Sequence, residues 1–201
     1  MPKVIGIAGQ VGAGKSIVLQ TLNVLYGLPL FDCDNVAKQC YFIPSVRENI
    51  INSFGVDPIE ESGKLAKDKI SALLADNKTK KKLEKIIHNA VREQFELWKS
   101  RYSGQWIALE SAILFTSDMN RLCDITLAVE AETPIRKRRV LRRDTDRSED
   151  GFELLEALQK IESERQKNEA DLHINNSGKS SIIRELEIIY NQLDKVIQDK
   201  Q

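Results

Sequence analysis

The chain has 201 residues and a mass of 22.8 kDa, room for one sizeable core with an inserted subdomain but not for two large domains. Hydrophobic residues make up 41% and charged residues 30%, and 30 Lys and Arg balance 30 Asp and Glu, which excludes a polyanion binder held by bulk positive charge. No apolar run approaches the roughly 20 residues of a membrane span. The start, Met1-Pro2-Lys3-Val4-Ile5, runs too soon into glycines for a signal peptide. Cys33, Cys40 and Cys123 form no CxxC pair and are odd in number, so they fit neither a disulfide framework nor a structural zinc site. A reduced, cytoplasmic protein is expected.

In chain order, Val4-Ile5-Gly6-Ile7-Ala8 is a β-branched run ending at Gly9, the pattern of a buried parallel strand. Lys15 to Leu25 puts Val18, Leu19, Leu22 and Leu25 on one helical face, stopped by Gly27. Leu28-Pro29-Leu30-Phe31 is expected as the second strand, ending at Asp32. A long segment, about 35–103, then has the pattern of helices, with Leu83, Ile86, Ile87, Ala90, Val91, Phe95 and Trp98 in one stripe. Within it, Lys78-Thr79-Lys80-Lys81-Lys82 suits a solvated helix start. A crossover needs only about 10–12 residues, so the excess is expected to cap one end of the sheet. Trp106 to Leu109, Ile125 to Val129 and Leu172 to Ile174 supply three further strands, and Ile182, Leu186, Ile189, Leu193 and Val196 mark a final amphipathic helix. The tail Asp199-Lys200-Gln201 is expected to fray. Strands alternating with helices predict an α/β fold on a parallel sheet.

Gly9-Gln10-Val11-Gly12-Ala13-Gly14-Lys15-Ser16 matches G-x-x-x-x-G-K-[ST] in full. Glycines let successive N–H groups turn inward around a phosphate, and the helix that follows adds its positive dipole end. Lys15 supplies a point charge between the outer phosphates, and the Ser16 hydroxyl is a Mg²⁺ ligand. A nucleoside triphosphate with Mg²⁺ is the expected ligand of Gly9, Gly12, Ala13, Gly14, Lys15, Ser16 and the adjoining Ile17. Glu110, ending the third strand, is a second candidate near the metal. Asp32 and Asp34 follow the second strand, where open parallel sheets bind ligands. If that strand continued, both would face one side, one taking a proton from an attacking hydroxyl and the other orienting metal-bound water; the alternative is a helix N-cap. Asn175 and Asn176, before Ser177-Gly178, are candidates for contact with adenine. Arg136, Lys137, Arg138, Arg139, Arg142, Arg143 and Arg147 crowd one segment. Arg139 and Arg143 share a helical face, no aromatics interleave for nucleic-acid stacking, and Arg136, Lys137 and Arg138 are expected to be solvated. His173 is expected to be structural.

This ordered set resembles the dephospho-coenzyme A kinase family. The phosphate loop is followed by Asp32-Cys33-Asp34-Asn35-Val36-Ala37, Phe54-Gly55, Gly63-Lys64-Leu65, Leu83 to His88, Arg139-Val140-Leu141-Arg142-Arg143-Asp144 and Ile174-Asn175-Asn176-Ser177-Gly178. The resemblance implies a P-loop kinase with a five-stranded parallel sheet. Residues 1–34 and 104–201 would form the nucleotide core, with a lid at about 133–150, and 35–103 a helical acceptor domain. It implies transfer of phosphate from ATP to the ribose 3′-hydroxyl of dephospho-coenzyme A, the last step of coenzyme A biosynthesis, with Mg²⁺. Asp34, Lys15, Arg139 and Arg143 would be catalytic, the two arginines in the lid, while Asp32, Asp34 and His88 would hold the acceptor. The partners are then small molecules, with no nucleic acid or membrane, for a monomer or weak homo-oligomer. Ile17, Lys67, Asn89 and the segment Glu110-Ser111-Ala112-Ile113-Leu114-Phe115 depart from the family's usual residues, mostly on the acceptor side. The rival readings are a nucleoside or nucleoside monophosphate kinase and a P-loop switch. The N-K-x-D of GTPases is missing, and Leu109-Glu110-Ser111 stands where motor ATPases carry Asp-Glu.

Overall fold

The computed structural model describes residues 1–145, 148–178 and 180–198. Arg147 and the Asp199-Lys200-Gln201 tail lie outside the described residues, as does the side chain of Val196. The elements run β1 (Lys3–Gly9), α1 (Lys15–Tyr26), β2 (Leu30–Asp32), α2 (Cys33–Cys40), α3 (Pro44–Phe54), α4 (Lys67–Ala75), α5 (Asn77–Lys99), β3 (Trp106–Glu110), β4 (Ile125–Glu130), α6 (Thr133–Arg143), α7 (Glu149–Leu158), α8 (Lys160–Glu169), β5 (Leu172–Asn175) and α9 (Ile182–Gln198). They divide into two compact units, Met1–Phe31 with Tyr102–Gln201, and Asp32–Arg101.

The first unit is built on a five-stranded sheet of order β2-β3-β1-β4-β5. β1 pairs in parallel with β3, Ile5 opposite Ala108, and with β4, Ile7 opposite Leu127; β4 pairs in parallel with β5. The central strands are apolar at nearly every position because both faces are covered. Val4, Ile5, Ile7, Ala8, Ile107, Leu109, Ile125, Leu127, Ala128 and Val129 are all fully buried. Val18, Leu19 and Leu22 of α1 and Leu186 and Leu193 of α9 pack into the same core, and Tyr26 stacks on Tyr190 with ring centroids 3.8 Å apart.

Two boundaries differ from the sequence-based expectation. The second strand begins at Leu30, two residues late. Leu28 is a core plug, 2% exposed, and the Pro29 carbonyl accepts from the Ala108 N–H at 2.8 Å. Leu25, placed on the buried face of α1, is 52% exposed. The chain turns at Gly27 in a left-handed conformation (φ 67°), and Leu28 beyond the turn joins the core.

The second unit is helical. Its long helix α5 buries Leu83, Ile87, Ala90, Val91 and Phe95, with Ile86 and Trp98 half-buried beside them. Asp76 caps it, accepting from the N–H groups of Lys78 and Thr79. Lys78, Lys81 and Lys82 are exposed, as expected of a solvated start. α3 opens on Pro44 and closes on Gly55.

Candidate active site

The segment between β1 and α1 is a tight glycine loop. The Ala13 N–H closes a turn on the Gln10 carbonyl at 3.0 Å, and Gly12 and Gly14 have φ of 77° and 100°. Both glycines are also required by crowding. A Cβ on Gly12 would stand 2.6 Å from the Arg136 carbonyl, and one on Gly14 would collide with Asn176 Nδ2. Gly14 is the N-cap of α1, which has no side-chain cap and no acidic residue in its first turn. The first-turn N–H groups and the dipole end therefore face the loop, the physical basis of a phosphate cradle.

Lys15 projects back across the loop. Its ammonium donates to the Gly9 carbonyl at 2.8 Å and lies 3.7 Å from a carboxylate oxygen of Glu110 at the end of β3. Both side chains are about seven-eighths buried, at 13% and 16% exposure, so their attraction is only partly screened. Ser16 and Ile17 are exposed at the start of α1. Among the described residues no cluster of three His, Cys, Asp or Glu side chains is assembled.

Two segments distant in sequence meet at the loop. Arg139 donates through Nη1 to the carbonyls of Gly12 (3.3 Å) and Ala13 (3.4 Å), and through Nη2 to the Asn176 carbonyl at 2.8 Å. Asn176 donates its side-chain amide to the Ala13 carbonyl at 2.9 Å and its backbone N–H to the Glu130 carbonyl at 2.7 Å. Arg139 and Asn176 therefore tie α6 and the end of β5 to the phosphate loop. Arg143, one turn further along α6, points elsewhere: it is 63% exposed and pairs with Asp144.

The expectation that Arg136, Lys137 and Arg138 are solvated fails for two of the three. Arg136 is 2% exposed. It forms a bidentate pair with Glu156 of α7, and it donates further to the carbonyls of Ala131 and Val11 and to Thr133 Oγ1. Breaking one side of such a buried pair costs about 3–5 kcal/mol. Lys137 pairs with Glu149 and Glu153 of α7, and only Arg138 is exposed as expected.

The acceptor-side candidates lie in the second unit. Asp32 and Asp34 do not share a strand face, because the strand ends at Asp32 and α2 begins at Cys33. Asp32 is the N-cap, accepting from the Asn35 N–H at 2.9 Å, and Asp34 is an exposed carboxylate in the first turn. The N-cap alternative is thus realised at Asp32. His88 is half-buried on α5; burial pushes its imidazole below the usual histidine range, opposed by Glu84 and reinforced by Arg92. In the first unit, His173 is exposed on β5, 3.3 Å from Glu130. The Glu110–Phe115 departure buries Ser111, Leu114 and Phe115, and Glu162 of α8 accepts from the N–H groups of Phe115 (2.9 Å) and Thr116 (2.8 Å).

Sequence reasoning took Arg136 for solvated and passed over Glu156, Glu162 and Gln159, whose Oε1 accepts from the Val11 N–H at 2.9 Å. These partners are 20 to 148 residues apart, and no local motif joins them. No sequence signal marks them, for residues 152–169 hold neither Gly nor Pro at the α7–α8 junction.

Comparison with known proteins fits this geometry. The family model described as dephospho-CoA kinase matches residues 3–181. A dephospho-CoA kinase of Porphyromonas gingivalis is 37% identical over 147 residues, 72% of each chain. A crystal structure of a Thermus thermophilus protein superposes with a TM-score of 0.79 at 27% identity, covering 96% of this chain and 97% of that one. The dephospho-CoA kinase structure from Campylobacter jejuni, at 17% identity, has the same fold (TM-score 0.64, 97% and 98% covered). With its glycine loop, its parallel sheet and a family match over nearly its whole length, the chain belongs to the dephospho-CoA kinase family.

Proposed function

We propose that the chain transfers the γ-phosphoryl group of ATP to the ribose 3′-hydroxyl of dephospho-coenzyme A, giving coenzyme A and ADP, as a magnesium-dependent cytoplasmic enzyme. The observation that carries the reading is the Lys15 ammonium, held by the Gly9 carbonyl and beside the Glu110 carboxylate at the mouth of the glycine loop. A cation for the outer phosphates stands next to a carboxylate suited to metal-bound water. Cys33, Cys40 and Cys123, odd in number and without a CxxC pair, accord with a reducing compartment.

In this reading the N–H groups of Gly12, Gly14, Lys15 and Ser16 hold the phosphates, and Lys15 follows the charge that moves onto the leaving oxygen. Asn176 borders the adenine side. Arg139 and Arg143, on the α6 lid segment, neutralise the equatorial oxygens of the transferring group. Arg143 first exchanges Asp144 for phosphate. The helical unit that follows β2 serves as the acceptor domain. In it Asp34 accepts the proton of the 3′-hydroxyl as that oxygen bonds to phosphorus and the bridge to the β-phosphate breaks; Asp32 holds the start of α2, and His88 contributes to the acceptor surface. Mg²⁺, held with Ser16 and Glu110, would neutralise the outer phosphates.

A coupled ADP-release assay with a panel of acceptors tests this function. Dephospho-coenzyme A is expected to support turnover in the ordinary kinase range of about 1–100 s⁻¹, with adenosine and nucleoside monophosphates giving only background. Faster release with a nucleoside monophosphate would replace the acceptor while leaving the phosphate loop as the ATP site.

A further inference from the structure

The phosphate loop has an attachment that its motif does not require. Val11 is held on both sides by side chains from the α6–α8 segment. Its N–H donates to Gln159 Oε1 at 2.9 Å, and its carbonyl accepts from Arg136 Nη1 at 3.4 Å. The first bond fixes the peptide plane between Gln10 and Val11; the second fixes the plane between Val11 and Gly12.

Neither partner is loosely placed. Arg136 is buried and clamped by Glu156, Thr133 and the Ala131 carbonyl. Gln159 is the junction of α7 and α8: its N–H donates to the Leu155 carbonyl at 3.0 Å, and its own carbonyl accepts from the Ser163 N–H at 2.8 Å. Glu156 and Gln159 are three residues apart, so one side of α7 fixes Arg136 and Val11 together.

A phosphate loop works because its N–H groups are aimed before the anion arrives, which removes a reorganisation cost from the reacting state. With the planes flanking Val11 fixed, the remaining freedom of the loop falls to Gly12 and Gly14, whose positive φ values turn the N–H groups that follow. A loop released at Val11 can still meet a phosphate, but it must order itself while doing so. The loss then falls on the transferring group more than on ATP affinity.

We propose that Gln159 is a positioning residue for phosphoryl transfer. Through the Val11 amide it holds the phosphate loop in its anion-binding form, and with the Arg136–Glu156 pair it joins that loop to the α6–α8 segment. This rests on the glycine loop being the ATP site. A Gln159 that only closes a helix junction would affect stability and leave both Val11 and kcat alone.

The test combines amide hydrogen exchange on the full ¹⁵N-labelled chain, recorded with no nucleotide added, with steady-state kinetics on ATP and dephospho-coenzyme A. Gln159→Met keeps the length of the side chain and removes the acceptor. The Val11 amide is expected to exchange about tenfold faster, with the junction amides of residues 159 and 163 changed by less than about twofold. In the same variant kcat is expected to fall about tenfold while KM for ATP moves by no more than about twofold. Gln159→Glu keeps an oxygen at the same reach and is expected to retain slow exchange at Val11. Equal Val11 exchange in the wild type and Gln159→Met overturns the proposal. So does faster exchange with an unchanged kcat, or a Gln159→Glu chain that exchanges as Gln159→Met does. A wild-type chain that releases no ADP with dephospho-coenzyme A overturns instead the reading of the site on which the proposal rests.

Discussion

Lys15→Ala is expected to lower kcat by about 10²–10³-fold, or ~3–4 kcal/mol of barrier, the usual effect of removing one preorganised electrostatic contact to a developing charge. The side chain leaves from a site where its ammonium donates to Gly9 and lies 3.7 Å from Glu110. The Lys15 and Glu110 side chains are mostly buried, at 13% and 16% exposure, so the folded state should lose about 1–3 kcal/mol, still less than the barrier gains. Thermal unfolding and steady-state kinetics on the same preparation separate the two effects. A folded Lys15→Ala chain with near-normal kcat would remove the phosphate-loop assignment.

Asp34→Asn is the second large effect. The substitution keeps the size of the side chain and removes its charge. Asp34 sits in the first turn of α2, where a carboxylate also favours the helix dipole. Loss of that interaction should cost about 0.3–1 kcal/mol of stability. If Asp34 takes the hydroxyl proton, kcat for transfer to dephospho-coenzyme A should fall by about 10²–10⁴-fold. ATP affinity, measured by calorimetry, should change by less than about twofold, because the proton acceptor acts on the other substrate. Unchanged transfer would leave Asp34 as a helix N-terminal charge and no more.

The parts of this molecule that were legible in the sequence are those whose physical cause is local. The phosphate loop is eight consecutive residues whose types follow from backbone geometry and one anion. The central strands declare themselves through apolar runs, because a parallel sheet is covered on both faces. Gly27 marks a helix end for an equally local reason. The second strand was extended too early because Leu28 and Pro29 satisfy a hydrophobic pattern while serving as a plug and a turn. Asp32 and Asp34 were first aligned by strand period, yet the Asp32 carboxylate finds the Asn35 N–H and starts a helix instead.

Charge burial was not legible at all. Nothing in Arg136 or its neighbours distinguishes it from Arg138; the difference is Glu156, supplied by another helix. Lys137 likewise owes its setting to Glu149 and Glu153. A neutral glutamine such as Gln159 carries even less signal, and its partner Val11 lies 148 residues away. The two residues that draw the α6–α8 segment onto the loop at Val11 were therefore the hardest to anticipate.

The central claim is that phosphorus moves from ATP to one particular hydroxyl. Its most direct measurement is ³¹P NMR of the product formed from ATP and dephospho-coenzyme A, with the phosphorus–carbon couplings of the ribose resolved. A new phosphomonoester coupled to the 3′ carbon, formed in step with ADP and in equal amount, is the predicted result. Phosphate on another hydroxyl, or inorganic phosphate beside unchanged dephospho-coenzyme A, would contradict it.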